Sequence, residues 1–140
     1  MNLRAATPDD IHAVLALWRE AAAAPSVSDD AAGVGTLLER DRGSLILAFD
    51  DGGELVGTIV AAWDGWRGHV YRLAVRPDRR RSGVATTLVS AAEARLRSFG
   101  ARKIQGIVLA DNDVAQAFWE SNGYAHDATV VRHAKTFPPT

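Results

Sequence analysis

The stretch that decides the fold is residues 70–99, VYRLAVRPDRRRSGVATTLVSAAEARLRSF. Its apolar start predicts a strand that ends at Val75, and Pro77 then opens a basic loop. From Gly83 onwards apolar side chains recur at helical spacing, so a helix should begin there. The first turn of a helix has unpaired N–H groups and the positive end of the helix dipole, and small side chains leave those groups accessible. The stretch therefore predicts a phosphate site, although a strand, a solvated arginine turn and a helix would give the same pattern without a ligand.

The totals are typical of one globular domain spanning residues 1–140. Hydrophobic residues make up 47% and charged residues 24% of the 140 positions, and the net charge is −1. The chain has no cysteine, which excludes disulfides, thiolate metal sites and a cysteine nucleophile, and we expect no metal. Neither an apolar signal segment nor a membrane span is evident, so we expect a cytoplasmic protein. The single basic patch, residues 76–81, suits one polyphosphate better than nucleic acid.

The remaining chain predicts alternating strands and helices. A strand at residues 3–6 precedes a helix that Thr7 caps and that ends near Pro25. Residues 29–39 predict a helix that Gly33 and Gly35 weaken by up to about 1 kcal/mol each, so we expect mobility there. Further strands are predicted at residues 45–49, 54–63, 69–75, 103–109 (buried on both sides) and 129–137, with another helix from Asn112. The prediction is a mixed α/β fold, with a mostly antiparallel sheet of six to seven strands and helices on both faces.

Several motifs resemble the GNAT superfamily of acyl-CoA-dependent N-acetyltransferases, above all its small single-domain bacterial members. Residues 80–85, RRSGVA, fit the signature (Arg/Gln)-x-x-Gly-x-(Gly/Ala), and LAVRP at residues 73–77 is similar to the strand end that precedes it. Asn112, Trp119 and Gly123 fall on a second family motif, although Trp119 stands where Tyr is usual. The resemblance implies a GNAT fold in which the fourth and fifth strands splay apart to admit acetyl-CoA.

The resemblance also implies a set of coenzyme-binding residues. The pyrophosphate should lie on backbone amides at the helix start, with arginine charge beside it, and the pantetheine arm should pair with the preceding strand, where an N–H would polarise the thioester carbonyl. Asn112 matches a coenzyme-contacting residue, and it is equally suited to capping a helix. The implied residues are Leu73, Ala74, Val75, Arg80, Arg81, Ser82, Gly83, Val84, Ala85, Thr86, Asn112 and Trp119.

Three side chains are candidates for the proton transfers. His69 is the candidate base, and strand alternation places it on the same face as Tyr71 if no bulge intervenes. The family commonly has a Tyr acid at the position of Trp119, but an indole N–H can donate a hydrogen bond and cannot act as an acid. Tyr71 is therefore the candidate for the acid in place of that missing tyrosine. Each also has a plain structural interpretation: a solvated hairpin histidine, a packed tyrosine and a tryptophan that fills the core.

The resulting prediction is an acetyl-CoA-dependent N-acetyltransferase acting on a primary amine of a small molecule or peptide, as a monomer or homodimer. Trp63, Trp66 and Tyr71 hint at an aromatic wall for that acceptor. The alternative is a GNAT fold that binds acyl-CoA as a sensor without turnover, which Trp119 favours. A dinucleotide site is disfavoured because no G-x-G-x-x-G follows a strand. The sequence does not name the amine.

Overall fold

The structure of the protein, a computed structural model, describes residues 1–21 and 26–138. The chain divides into two compact units, Met1–Ile107 and Val108–Thr140. In the described ranges no helix has both the length and the apolar character needed to cross a bilayer.

The first unit holds five strands and three α-helices. The strands are β1 (Asn2–Ala5), β2 (Leu45–Phe49), β3 (Leu55–Trp63), β4 (Gly68–Val75) and β5 (Ile104–Gly106). The helices are α1 (Ile11–Glu20), α2 (Ala31–Arg40) and α3 (Val84–Ser98), and short 3-10 turns lie at Pro8–Asp10 and Pro77–Arg79. The predicted helix end near Pro25 lies outside the described residues.

The strands form one sheet in the order β1-β2-β3-β4-β5. Every neighbouring pair is antiparallel except β4 and β5, which are parallel and are joined by the crossover helix α3. The predicted mixed α/β fold is confirmed, although this sheet has five strands and not six or seven.

Helices cover both faces of the sheet. Thr58 of β3 accepts a hydrogen bond from the indole of Trp18 in α1, while a methyl group on the adjacent Gly57 would meet Val84 and Leu88 of α3. Since successive strand residues point to opposite faces, α1 and α3 lie on opposite sides. The core beside α1 and α2 is made of buried side chains from both layers, namely Val14, Trp18, Val34, Leu38, Leu45, Leu47, Val60 and Ala74.

The second unit contains α4 (Asp113–Ser121) followed by a chain without regular structure. The predicted strand at residues 129–137 is wrong: these residues pair with no strand in the described part of the chain. Their β-branched composition favours a strand, but a strand also needs a neighbour for its backbone groups. Val130 and Val131 are accordingly 66% and 81% exposed.

The strand predicted at 103–109 is also shorter than expected. Only Ile104–Gly106 is a strand, and the two apolar residues Ile107 and Leu109 are 59% and 55% exposed. The expected burial on both sides is therefore wrong. An apolar run indicates a tendency to pair, whereas β5 is the last strand of the described sheet and has a neighbour on one side only.

Candidate active site

The splay between β4 and β5 is visible in the strand pairing. The parallel register runs from Gly68 opposite Ile104 to Val70 opposite Gly106. β4 then continues to Val75, still paired with β3 on its other side. Residues 71–75 thus have no strand partner toward β5 among the described residues. An open strand edge of this kind offers backbone N–H and C=O groups to an extended ligand.

A β-bulge lies in this open part of β4. Val60 of β3 is opposite Tyr71 and Thr58 is opposite Ala74, so β4 has one residue more than β3 over the same interval. Arg72 absorbs that extra residue with φ 49°, in the left-handed region that a non-glycine residue seldom occupies. As a result, Tyr71 and Ala74 face the same side of the sheet although they are three positions apart.

The start of α3 has the features of an anion site. Gly83 precedes the helix with φ 86°, and no side chain of the described residues caps the first turn. The helical hydrogen bonds begin with the N–H of Thr87, which donates to Gly83 O at 3.0 Å. A Cβ at Gly83 would have no heavy atom of residues 1–21 or 26–138 within 4 Å, so these residues leave the space at Gly83 open. The predicted phosphate site is therefore geometrically available.

Two of the loop arginines are engaged by carboxylates. Arg79 Nη2 lies 2.8 Å from Asp50 Oδ2, and Arg76 Nη2 lies 2.9 Å from Asp78 Oδ2. The pKa of Asp50 is lowered, mainly by a hydrogen bond from the Glu54 N–H and further by the charge of Arg79. These pairs hold the ends of the loop and partly neutralise its charge.

The other two arginines, Arg80 and Arg81, lie next to the open amides. Arg80 Nη2 donates to the carbonyl of Ala21, just after α1, at 3.2 Å. Arg81 is exposed and has φ 64°. Beside it, the hydroxyl of Ser82 donates to Arg79 O, which fixes the loop immediately before Gly83. Arg80 and Arg81, which the signature singles out, are thus the loop arginines without a carboxylate partner in the described structure.

The structure places His69 and Tyr71 side by side. Their rings stack with centroids 6.2 Å apart, because the bulge follows Tyr71. His69 Nε2 lies 3.1 Å from Asp64 Oδ2, and Asp64 Oδ1 accepts hydrogen bonds from the N–H groups of Trp66 and Arg67. The pKa of Asp64 falls to about 2, chiefly through the Arg67 N–H and then through His69. The hairpin thus holds an ionised carboxylate against the imidazole.

The three aromatic residues predicted to form an acceptor wall do not all lie on one face of the sheet. Trp63 stacks on Phe99, the residue that follows α3, with ring centroids 5.9 Å apart, which places its ring on the α3 face. Trp66 is 70% exposed, with the Arg67 guanidinium 4.0 Å from its ring centre. Tyr71 is 45% exposed and shares the α1 face with His69. Trp63 therefore does not belong to a common wall with Tyr71.

The second unit holds the two remaining candidates. Asn112 accepts a hydrogen bond from the Ala115 N–H at 3.0 Å, so it caps α4 as predicted. Trp119 makes edge-on ring contacts with Phe118 and Tyr124, with ring centroids 5.6 and 4.9 Å away. Trp119 is thus in contact with two aromatic rings of its own unit.

Comparison with known proteins identifies the family. The sequence profile of the Acetyltransferase (GNAT) family matches residues 11–124, most of the chain. The chain belongs to this family. No cluster of three or more His, Cys, Asp or Glu suited to a metal occurs in the described GNAT chain.

Solved GNAT structures share the fold. An apo aminoglycoside 6'-N-acetyltransferase from Acinetobacter haemolyticus superposes with a TM-score of 0.79 at 23% identity, covering 99% of this chain and 100% of its own. Ard1 from Thermoplasma volcanium gives 0.81 at 23% identity, covering 91% and 84%. The PaiA N-acetyltransferase from Thermoplasma acidophilum, in complex with coenzyme A, gives 0.75 at 18% identity, covering 86% and 87%.

Proposed function

We propose that this protein is an acetyl-CoA-dependent N-acetyltransferase that transfers the acetyl group directly to a primary amine in a ternary complex. The proposal rests on one observation: the first unit has two open backbone surfaces, the uncapped first turn of α3 and the edge of β4 that has no strand partner among the described residues. One suits a diphosphate and the other an extended pantetheine arm.

The coenzyme would lie along both surfaces. The backbone N–H groups of residues 81–86 would donate hydrogen bonds to the pyrophosphate, and Arg80 and Arg81 would add charge-assisted contacts. The backbone of Leu73, Ala74 and Val75 would pair with the pantetheine, and an N–H there would polarise the thioester carbonyl. Asn112 and Trp119 keep the coenzyme roles implied by the family as predictions.

His69 is the proposed base for the acceptor. The acceptor ammonium would release a proton to the imidazole, directly or through water, and its nitrogen would then attack the thioester carbon. The carbon–sulfur bond breaks, coenzyme A leaves as a thiolate, and the second proton of the acceptor nitrogen passes to that thiolate through Tyr71 or water. Asp64 fits this scheme because its anion faces the ring that becomes cationic.

The general acid matters less than the base. For a thiol of pKa about 8.5, leaving as the unprotonated thiolate at pH 7 costs about 2 kcal/mol. Transfer can therefore proceed without the tyrosine that the family commonly has at position 119. Tyr71 is the candidate proton donor, because it carries a phenol beside His69. Its effect on the rate should accordingly be modest.

The pKa of the acceptor amine narrows its chemical class. Deprotonating a lysine at pH 7 costs about 4.6 kcal/mol, against about 1 kcal/mol for an α-amine. A single imidazole is a weak base for the first task, so we propose an α-amine or a small amine of lowered pKa. One protein of similar structure is named as an aminoglycoside 6'-N-acetyltransferase, and this name supports a small-molecule amine as the acceptor.

Two measurements test the function. Acetyl-CoA at about 100 times its Kd should stabilise the protein by about 2.7 kcal/mol, seen as a higher melting temperature. Free-thiol release should then rise above hydrolysis with an α-amine or small amine in a mixed panel. An unchanged melting curve contradicts the coenzyme site, and faster turnover of lysine peptides than of any other amine contradicts the acceptor class.

A sensor remains the second candidate because Trp119 replaces the usual acid. It would give the same thermal shift with acetyl-CoA, and no amine in the panel would raise thiol release above hydrolysis.

A further inference from the structure

A chain of hydrogen bonds holds the β4 bulge from the core side. The indole Nε1–H of Trp18 donates to Thr58 Oγ1 at 2.9 Å, and the Thr58 hydroxyl donates to the carbonyl of Arg72 at 2.9 Å. Thr58 is fully buried and Trp18 is 6% exposed. The carbonyl at the bulge is therefore held by two buried side chains that belong to α1 and β3.

The side chain of Arg72 leaves the sheet and reaches the connection between α1 and α2. Its Nε donates to Asp29 Oδ1 at 3.2 Å, and its Nη2 forms a second, short contact with Asp29 Oδ2. The two side chains are 22% and 16% exposed, and the guanidinium lies 5.5 Å from the ring centre of Trp18. A bidentate, partly buried pair of this kind fixes orientation as well as distance.

Asp29 is itself held within its own segment. Its Oδ2 accepts from the Ser26 N–H at 2.7 Å, while the neighbouring Asp30 caps α2 through the Gly33 N–H at 2.7 Å. A Cβ at Gly33 would lie 2.2 Å from the Ser28 carbonyl, so only glycine allows this segment to approach the helix. The described part of the connection, residues 26–30, is thus one folded turn, and Arg72 joins it to the sheet.

This link lies next to the proposed chemistry. Arg72 directly follows Tyr71, whose ring stacks on His69, and directly precedes Leu73 at the open edge of β4. The anchored turn carries Val27, which is 60% exposed. The Arg72 guanidinium lies over the ring of Trp18 in α1, so the pair lies on the same face of the sheet as Tyr71 and His69.

We propose that Arg72 and Asp29 form a positioning pair that aligns the acceptor amine with the thioester. The inference rests on the proposed function. By fixing residues 26–30 against the bulge, the pair would hold an acceptor-facing surface at a set distance from the β4 amides that face the acyl group. Misplacing bound reactants by about 1 Å can cost about 100-fold in rate, so a loosened pair should slow transfer without weakening coenzyme binding.

The test compares variants of the full-length protein by kcat, acceptor KM and acetyl-CoA Kd. Asp29→Asn should lower kcat/KM for the acceptor by about 10- to 100-fold and leave the acetyl-CoA Kd within about twofold. The double variant Asp29→Arg with Arg72→Asp should be faster than either of its single variants, Asp29→Arg and Arg72→Asp, because it restores the opposite charges, although it gives up the acceptor for the Ser26 N–H. Asp10→Asn is the matched control: it breaks the Arg4 pair beside β1, at the far edge of the sheet, and should leave the rates unchanged.

The inference is overturned if Asp29→Asn retains wild-type kcat/KM, or if the reversed pair is no faster than the single variants. Amide hydrogen exchange supplies a readout that does not need turnover. In Asp29→Asn, residues 26–30 and 71–74 should exchange faster together, and wild-type exchange in either segment also overturns the inference. Wild-type protein without turnover on any amine would contradict the proposed function alone, since the exchange arm still decides whether the pair anchors the turn.

Discussion

Thr58→Val isolates the buried hydroxyl that joins α1 to the β4 bulge. The substitution keeps the volume and the branched shape of the side chain, so it creates no cavity. It removes the acceptor for the Trp18 indole N–H and the donor for the Arg72 carbonyl, which are bonds of 2.9 Å each. The variant therefore changes hydrogen bonding and leaves packing intact.

The expected cost follows from those two bonds. A buried polar group left without a partner costs about 1–3 kcal/mol. The indole N–H belongs to a buried side chain, so losing its acceptor should cost the full amount. The Arg72 carbonyl belongs to a partly exposed residue, so losing its donor should cost less. We expect a loss of about 3 kcal/mol in the free energy of unfolding, or roughly 10 °C in melting temperature for a domain of this size.

Urea unfolding of three further variants distinguishes a loss of hydrogen bonding from a loss of packing. Thr58→Ser keeps the hydroxyl and loses a methyl group, so it should cost only about 1 kcal/mol. Trp18→Phe should cost less in the Thr58→Val background than in wild type, because the orphaned N–H is then absent, giving a coupling energy of about 1–2 kcal/mol. If the serine variant is less stable than the valine variant, packing and not hydrogen bonding dominates at Thr58, and the reasoning is refuted.

Three further predictions concern other parts of the chain. Gly83→Val should abolish the melting shift caused by acetyl-CoA while costing only about 1–2 kcal/mol in stability, because the φ of 86° is strained for any side chain but the space in front of it is open; a retained shift would contradict the anion site. Ser44→Ala should be neutral or stabilising by up to about 1 kcal/mol in urea unfolding, since the buried Ser44 hydroxyl has no hydrogen-bond partner among the described residues; a marked loss would contradict this. The Arg4 side chain lowers the pKa of Asp10 to about 2, so the stability advantage of wild type over Asp10→Asn should be complete above about pH 4 and should vanish as the pH falls toward 2; melting curves across that range check it, and a pH-independent difference would contradict it.

Several parts of the site could be predicted because their causes are local. The helix start at Gly83 depends on neighbouring residues, and the Asn112 cap acts over three residues, so both appear where the sequence places them. His69 and Tyr71 are two positions apart on one strand, and their rings do stack. The contact between Asp64 and His69 could have been predicted in the same way, because the Asp-Gly turn that begins five residues before His69 returns the chain toward Asp64.

Errors arose where a pattern depends on a partner elsewhere. The segments at 103–109 and 129–137 have strand-like composition, but composition cannot supply the neighbouring strand that completes the pairing. Trp63 was likewise predicted to contribute to an acceptor wall, whereas its position in β3 places it on the α3 face, where it stacks on Phe99.

The order of strands and helices as far as α4, the family and the glycine turn at Gly83 follow from the sequence alone, because periodicity and backbone preference act between near neighbours. The position of the β4 bulge and the contacts that hold it depend on tertiary packing. Thr58 lies in an apolar strand and Asp29 in a polar turn, and Asp29 and Arg72 are 43 positions apart in the sequence. Such contacts form only when the sheet and helices are packed together, since no local rule relates residues so far apart along the chain.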